Sequence, residues 1–572
     1  MNTHKRTFVI LGIAILFATG LRATGRQVDA AALDASAIIT VTTNDELNSD
    51  GDCSLREAIQ AANLNAAVDN CVAGVGDDEI SLPAGTYTLT LSGDNEDNNA
   101  SGDLDIQSNL TINGAGAIST TIDGGALDRV LDILPTQVHV VVNDVTITNG
   151  LAESGGGILN TGILTLTNSI VSDNKVDYSG GGIFNLGTMV ITDSAIRNNR
   201  ALHFNGQGGG IANDGSLIIT NSTIDGNRAL RYSGGFANRS GTATLIAVTI
   251  SNNRAAEQGG GLSNFGGTEL TLINSTLKDN SAAYGGAIST FGPLTLTNST
   301  ISGNQAAYGG GIYLQLNTVR LNHSTVSANR ARAATGILSG FQATIILADS
   351  IIADQLEGGD CLNPDGMIIS AGNNLDSDNS CNLTGTGDIP GSNAQLGPLQ
   401  DNGGATWTHA LLPGSAAIDH GDCLGGTLTT DQRGVGRPQG SQCDIGSYET
   451  TGAAIALNLT PNIQTIASGD PATFTVTITN AGSITLTNVT TVDKLTPACE
   501  RELGNLAPLS ATVYHCERPA VKTPFSNVTK VTASTVLGDR VHAEGAGIVK
   551  LVGWSDEFLP VVINTTQTLN QR

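Results

Sequence analysis

Four basic residues occupy one recurring place in successive segments of this 572-residue chain: Lys175, Arg200, Arg228 and Arg254, with Ser281, Gln305 and Arg330 in the same place further on. Tyr178, Tyr232, Tyr284 and Tyr308 stand four or five residues before a recurring turn position. Segments stacked as neighbouring strands, about 4.8 Å apart, would align the cations into a stripe with tyrosine rings along the same loop. Cations beside tyrosine rings, on an otherwise acidic chain, suit an anionic polysaccharide. The competing reading pairs the arginines with Asp173 and its neighbours, so that they simply solubilise an edge.

Bond cleavage asks for more. General acid–base chemistry needs two positioned groups near the bond. Pectate lyases have an acidic calcium cluster and a basic residue on one sheet. Polygalacturonase-like hydrolases have close aspartates, a His-Gly and an Arg-x-Lys strand. The sequence offers neither set, and no catalytic residue is assigned. His420-Gly421 lies beside Cys423 without an Arg-x-Lys after it and reads as a loop next to a disulfide. The acidic stretch from Asp94 to Asp105 has oxygens for Ca2+, but its spacing is not that of an EF-hand loop. It reads as a solvated loop, with calcium as the lesser alternative, and no metal site is assigned.

These residues ride on a repeat. Apolar strand positions recur at Ile147, Val171, Ile196, Ile224, Ile250, Leu277, Ile301, Val326 and Ile352, in steps of 24, 25, 28, 26, 27, 24, 25 and 26. A second series, mostly preceded by glycines, runs Ile158, Ile183, Ile211, Ala237, Leu262, Ile288, Ile312 and Ile337. Apolar residues alternate inside each unit, as in Leu294-Thr-Leu-Thr-Asn-Ser-Thr-Ile301, which is the period of a strand. No helical pattern separates the strands. Coils of about 25 residues that cannot bury their apolar side alone can do so when stacked, as in a solenoid of parallel sheets. Asn174, Asn199, Asn227, Asn253, Asn280, Asn304 and Asn329 mark one corner, where Asn tolerates left-handed backbone and can bond to its equivalent one coil away. Glycine at the other corner supplies positive φ.

Composition agrees. There are 71 glycines, only 4% aromatic and 14% charged residues, and a net charge of −25 from 52 acidic and 27 basic side chains. That balance argues against nucleic acid or an anionic membrane as a general partner. Lys5 and Arg6 before the apolar run Phe8 to Leu21 read as a signal peptide over residues 1–32, the run being shorter than the ~20 residues that span a bilayer. No later segment is a transmembrane candidate. The eight cysteines fall into local couples, Cys53 with Cys71, Cys361 with Cys381, Cys423 with Cys443 and Cys499 with Cys516, separated by 17 to 20 residues. Four disulfides in an oxidising compartment are expected.

Several segments resemble known families. Cys53-Ser-Leu-Arg-Glu-Ala58 resembles the short CSLREA module at the N-terminus of bacterial surface proteins. Here Ser54 is a helix N-cap and Glu57 completes a capping box, so residues 36–78 are expected to hold a helix that covers the first coil. Residues 79–357 are similar to the pectin-lyase-like superfamily, and their Gly-Gly-Gly-Ile turns to the repeats of chlamydial polymorphic outer-membrane proteins. The fold class this implies is all-β: a right-handed parallel β-helix of about 11–12 coils with an N-terminal capping helix and a C-terminal Ig-like β-sandwich. Residues 358–450, with Gly372-Asn-Asn-Leu375, Leu412-Pro-Gly-Ser-Ala-Ala-Ile-Asp419, Asp431-Gln-Arg-Gly434 and Cys443-Asp-Ile-Gly-Ser-Tyr-Glu449, resemble the choice-of-anchor Q region, which implies a β-helix extension in exported proteins. Residues 453–551, with Asp470-Pro-Ala-Thr-Phe-Thr-Val-Thr-Ile-Thr-Asn-Ala-Gly482 and Leu503-Gly-Asn-Leu-Ala-Pro508, resemble the Ig-like domain of unknown function 11, and 552–572 read as a tail without a sortase signal.

Together these readings lead to an exported protein, secreted or at the cell surface, with a non-enzymatic role in adhesion or glycan contact and a polysaccharide or envelope surface as partner. A divergent polysaccharide lyase or glycoside hydrolase, and a purely structural envelope protein, are the alternatives.

Overall fold

The computed structural model describes residues 36–552, except 47–49, 94–95, 267–268, 334–335, 365, 413, 451, 481–483, 508–509 and 536–539. The signal peptide expected over 1–32 and the tail from 553 lie outside the described residues.

The 25-residue repeat builds three stacked parallel sheets. Sheet A has 13 strands, from Ile38–Thr40 to Met367–Gly372; sheet B has 13, from Gly85–Thr88 to Ile389–Pro390; sheet C has 11, from Leu104–Ile106 to Cys361–Leu362. Each chain segment visits A, B and C in turn and then pairs with the next segment, as in Leu164↔Met189, Ile196↔Ile224 and Ile183↔Ile211, in constant register until a shift between Leu347 and Ala348 in the last pairing of sheet A. A shorter five-stranded ladder, from Leu151–Ser154 to Arg254–Ala255, stands between sheets B and C. Period-two alternation turns one row of every strand inward, and Leu166, Ile191, Ile219, Leu245 and Leu272 are fully buried in that row of sheet A. At about 1.5–3 kcal/mol for each buried aliphatic side chain, this continuous core is the main stabilising contribution.

The structure shifts one member of the glycine-turn series. The inward residue after Gly234-Gly235 is Phe236, which pairs with Ile211 and Leu262, whereas Ala237 pairs with Ala212 and Ser263. Two glycines precede that position here instead of three, because Ser233 takes the left-handed place with φ 58°. Elsewhere a glycine holds it, Gly208 at φ 66° for example. The glycine after it has no room for a side chain: a Cβ on Gly209 would lie 2.4 Å from the main chain of Arg228.

The asparagine corner also differs from the expectation. The left-handed residue is the one before the ladder asparagine: Asp173, Asn198, Gly226, Asn252, Asp279 and Gly303 all have positive φ. Asn174, Asn199, Asn227, Asn253, Asn280, Asn304 and Asn329 are buried and form an inner ladder. In it each side-chain Nδ2 donates to the next Oδ1 at 2.9–3.1 Å. The same Oδ1 accepts the main-chain N–H of the preceding asparagine, as Asn280 Oδ1 does from Asn253 at 2.9 Å. A second ladder, Asn160, Asn185, Asn213, Asn238 and Asn264, joins the last residues of the sheet C strands at 2.7–2.9 Å.

A single ten-residue helix, α1 (Leu55–Leu64), closes the first coil. Ser54 caps it and Glu57 completes the capping box. Leu55, Ala58, Ile59, Ala61 and Ala62 join the same core as Ile39, Ile80 and Leu104. The four disulfides pair as the spacing implies, and no cysteine is free.

Beyond Pro390 the chain turns back along sheet B. Gln432 accepts from Thr300 Oγ1 at 2.6 Å and donates to Thr276 Oγ1 at 2.9 Å, and Ser447 bonds Thr325 Oγ1 at 3.1 Å. These contacts explain why Thr276, Thr300 and Thr325 are buried on a face where Thr223 is exposed. Residues 455–551 form a β-rich region of a three-stranded and a five-stranded sheet about a separate core that includes Phe474, Val476, Val531 and Val549. Among the described residues no helix is long and apolar enough to cross a membrane.

Candidate functional site

The five-stranded ladder puts the basic residues in one column. Lys175 pairs with Arg200, Arg200 with Arg228 and Arg228 with Arg254; isolated bridges carry the column on through Ser281 to Gln305, and Gln305 pairs with Arg330. Strand alternation turns Val176, Ala201, Ala229 and Ala255 inward and leaves the four cations exposed. Among the described residues no carboxylate lies within ion-pair distance of Lys175, Arg200, Arg228 or Arg254. The nearby pairs are Arg231 with Glu257 at 3.0 Å and the solvent-exposed Arg330 with Glu357 at 4.0 Å. Asp173 therefore does not neutralise the stripe.

Over five coils the column becomes the wall of an open groove of about 700 Å3, lined by Arg228, Arg254, Ser281, Gln305, Arg332 and the alanines between them. Its origin is legible in the strands: Arg228-Ala-Leu, Arg254-Ala-Ala, Ser281-Ala-Ala, Gln305-Ala-Ala and Arg330-Ala-Arg. Small outward residues in the middle coils leave the depression, and Leu230 and Arg332 bound its ends. Arg332 is a member that the sequence reading missed. It is two residues beyond the ladder position, so the signal was the outward neighbour along the strand and not the column itself.

The tyrosines do not enter this groove. Tyr232, Tyr284 and Tyr308 form the next column, alternating with Gln207 and Gln258, and Tyr178 sits one residue out of register beside Ser179. Tyr284 stacks on Tyr308 at 5.2 Å and 12°, and Tyr232 lies under the Arg231 guanidinium at 4.6 Å. Tyr178 packs on His203 at 4.7 Å, which in turn packs on the exposed Phe204 at 4.4 Å. The rings thus form an aromatic rim along the corner that borders the groove, with Tyr178, Tyr284 and Tyr308 each more than one-third exposed.

Among the described residues, no carboxylate, histidine or cysteine lines the groove. His420 holds its own turn by bonding the Ile418 carbonyl at 2.6 Å. The arrangement can attract and orient anions.

Acidic side chains gather elsewhere, and the solvated-loop reading of 94–105 holds only in part: Asp97, Asn98 and Ala100 are exposed. Asp103 and Asp105 are 3% and 0% exposed beside Asp132 at 4%, because Asp105 lies in the strand Leu104–Ile106, paired with Asp132 in the next strand of sheet C. Burial pushes Asp103 up to about 7 against the pull of Arg129; burial and the Asp103 charge push Asp105 up to about 8; burial pushes Asp132 up to about 6. Arg129, Asp128, Asp97 and Glu96 are the other charges acting on these carboxyls, with Arg56 reaching the Asp103 carbonyl at 2.7 Å.

Between about pH 4 and pH 8 the folded chain holds more protons on this cluster than the unfolded chain, where aspartate titrates near 3.9. Stability contributed here is therefore lost as pH rises through that window. Chelator-treated protein should melt at a higher temperature at pH 6 than at pH 8, and Asp105→Asn should narrow the difference. A higher melting temperature at pH 8, unaffected by Asp105→Asn, would contradict this.

No curated protein matches the chain. Residues 210–380, which carry the groove and the later coils of all three sheets, match the family model described as "Right handed beta helix region". With the uninterrupted parallel pairing on both sides of that segment, the chain is a right-handed β-helix protein.

Proposed function

We propose that this is an exported, non-enzymatic surface protein whose β-helix holds an anionic polysaccharide along the outer ladder of Lys175, Arg200, Arg228 and Arg254. The observation that carries the reading is a register-aligned column of cations without carboxylate partners, opening into a groove on a chain of net charge −25. Unpaired guanidinium groups at one coil spacing suit a ligand that repeats its own carboxylate or sulfate groups. Aromatic edges at the rim add contact area for sugar rings. The four disulfides and the signal-like N-terminus favour an oxidising, extracytoplasmic location. The CSLREA-type start, the choice-of-anchor Q marks and an Ig-like reading of the last two sheets support a modular place at the cell envelope.

Retention on immobilised acidic glycans, measured against neutral glycans, tests this reading. The wild-type chain should be retained and released by rising salt, and Arg200→Gln, Arg228→Gln and Arg254→Gln together should abolish retention. Unchanged retention of that variant would sink the proposal. The same glycans, incubated with the protein, should yield no new reducing ends and no unsaturated uronides; robust turnover would move the reading to a lyase or hydrolase.

A further inference from the structure

We propose that Asp103, Asp105 and Asp132 form a divalent-cation site, of the kind that suits Ca2+, which fastens the N-terminal cap to the first coils. Each of the three can offer an oxygen such that all lie within 4.8 Å of one another. Asp105 and Asp132 sit directly opposite in adjacent strands of sheet C, where like charges destabilise a sheet.

Two observations point to a ligand beyond the clustering itself. Asp105 Oδ1 and Asp132 Oδ1 are buried without a hydrogen-bond partner, a costly state for a carboxylate oxygen. Their other oxygens are committed: Asp105 Oδ2 accepts from Asn99 N–H at 2.8 Å, and Asp132 Oδ2 accepts from Arg129 Nη1 at 2.7 Å. Arg129 also reaches Asp103 Oδ2 at 2.7 Å. Three carboxylates against one guanidinium leave two negative charges, which one divalent cation closes.

Another of the acidic groups among the described residues shows the contrast. Asp360, Asp376 and Asp378 lie equally close together. There the carboxylates are taken up by Ser377, Asn379, Cys381, Gly391 and Ser380, and none of their oxygens is buried without a partner. That cluster is complete without an ion, whereas the Asp105 cluster is not.

The location gives the ion a job. Asn99, held by Asp105 through its N–H, returns its side-chain amide to the Arg56 carbonyl of α1 at 2.9 Å. Arg56 in turn bonds the Gly102 and Asp103 carbonyls at 2.7 Å and forms a buried pair with Glu46. An ion at the carboxylates would therefore tie the 96–105 loop, α1 and the second and third coils together. Hard oxygen donors favour calcium or magnesium over thiophilic metals.

The full mature chain, stripped with chelator, provides the test. At pH 8, about 5 mM Ca2+, enough for the weaker extracellular class of sites, should raise the melting temperature by about 5 °C. Calorimetric titration with Ca2+ should show one saturable site. Asp105→Asn and Asp132→Asn should each remove both responses, yet melt no lower than wild type in chelator, because each deletes a repelling charge. Asp378→Asn should keep the response. Absence of any calcium heat and any melting shift in the wild-type chain would overturn the proposal. So would a calcium response lost in Asp378→Asn but kept in Asp105→Asn, or a cluster that gains stability from acidification alone and none from metal.

Discussion

Asn253→Ala should destabilise the coil stack by about 3–5 kcal/mol. Asn253 is fully buried in the middle of the inner ladder. Its Nδ2 donates to the Ile224 carbonyl at 2.8 Å and to Asn280 Oδ1 at 3.0 Å. Its Oδ1 accepts both the main-chain N–H and the Nδ2 of Asn227, at 2.9 and 3.0 Å. Truncation removes the amide, strands the Asn227 N–H away from water, takes one donor from the Ile224 carbonyl, which keeps its place in the parallel ladder, and leaves a void. The stranded N–H alone costs about 1–3 kcal/mol, and the void and the lost amide bonds supply the rest. Because a solenoid transmits stability between neighbouring coils, the loss should appear as an earlier, less cooperative urea transition. The residue next to it supplies the control. Asn252 is exposed with φ 55°, and equivalent coils use Gly226 or Gly303, so Asn252→Gly should change the midpoint little. Equal midpoints for Asn253→Ala and wild type would remove the ladder from the account.

Glu449→Ala is the second large effect, at about 3–5 kcal/mol. Glu449 and Arg437 are both fully buried and meet at 3.0 Å. The carboxylate also accepts the N–H groups of Asp444 and Gln439 at 2.9 and 2.8 Å. Its loss leaves a guanidinium out of water with the Asp444 and Gly446 carbonyls as its hydrogen-bond partners among the described residues and the charges of Asp431, Asp444 and Asp349 near it. Burial already disfavours the charged form of each partner, lowering Arg437 and raising Glu449. Replacing both by methionine should therefore cost less than the single truncation. The readout is local: proteolysis of the 394–449 segment should accelerate in Glu449→Ala while the early coils stay protected. A single truncation that leaves proteolysis unchanged would show that the pair does not hold the folded-back segment.

The repeat was legible because one physical rule, inward alternation every second residue with a corner every 25 or so, acts on every coil. The inward rows through Ile196 and Ile183 and the cation column through Arg228 follow directly from that count. What escaped the count is instructive. Phe236 displaced Ala237 because the coil gained its turn with two glycines and Ser233, a one-residue change that periodicity cannot see. The left-handed corner residue was misplaced by one because asparagine suits both αL backbone and ladder bonding, and Asn198-Asn199 or Asn252-Asn253 offer two candidates side by side. The folding back of residues 394–449 was hidden because its anchor, Gln432 between Thr276 and Thr300, joins residues more than a hundred positions apart. The groove itself was half legible: its cations stood out, while its room comes from alanines and serine, which attract no attention in a strand. The acidic loop was read as solvated since a run of Asp and Asn normally is; only the pairing with the Asp132 strand, beside Arg129 and α1, buries its end.

The most direct measurement of the central claim is calorimetric titration of a uniform anionic oligosaccharide, an oligogalacturonate, into wild-type protein and into the triple variant Arg228→Gln, Arg254→Gln, Arg332→Gln. At about 0.7 kcal/mol per exposed cation, the variant should bind about 30-fold more weakly. Its melting temperature should not change, since these side chains are exposed and make no ion pair among the described residues. Wild-type affinity should also fall with added salt. Equal affinity for both proteins, or wild-type binding indifferent to salt, would contradict a polysaccharide held along the cation ladder.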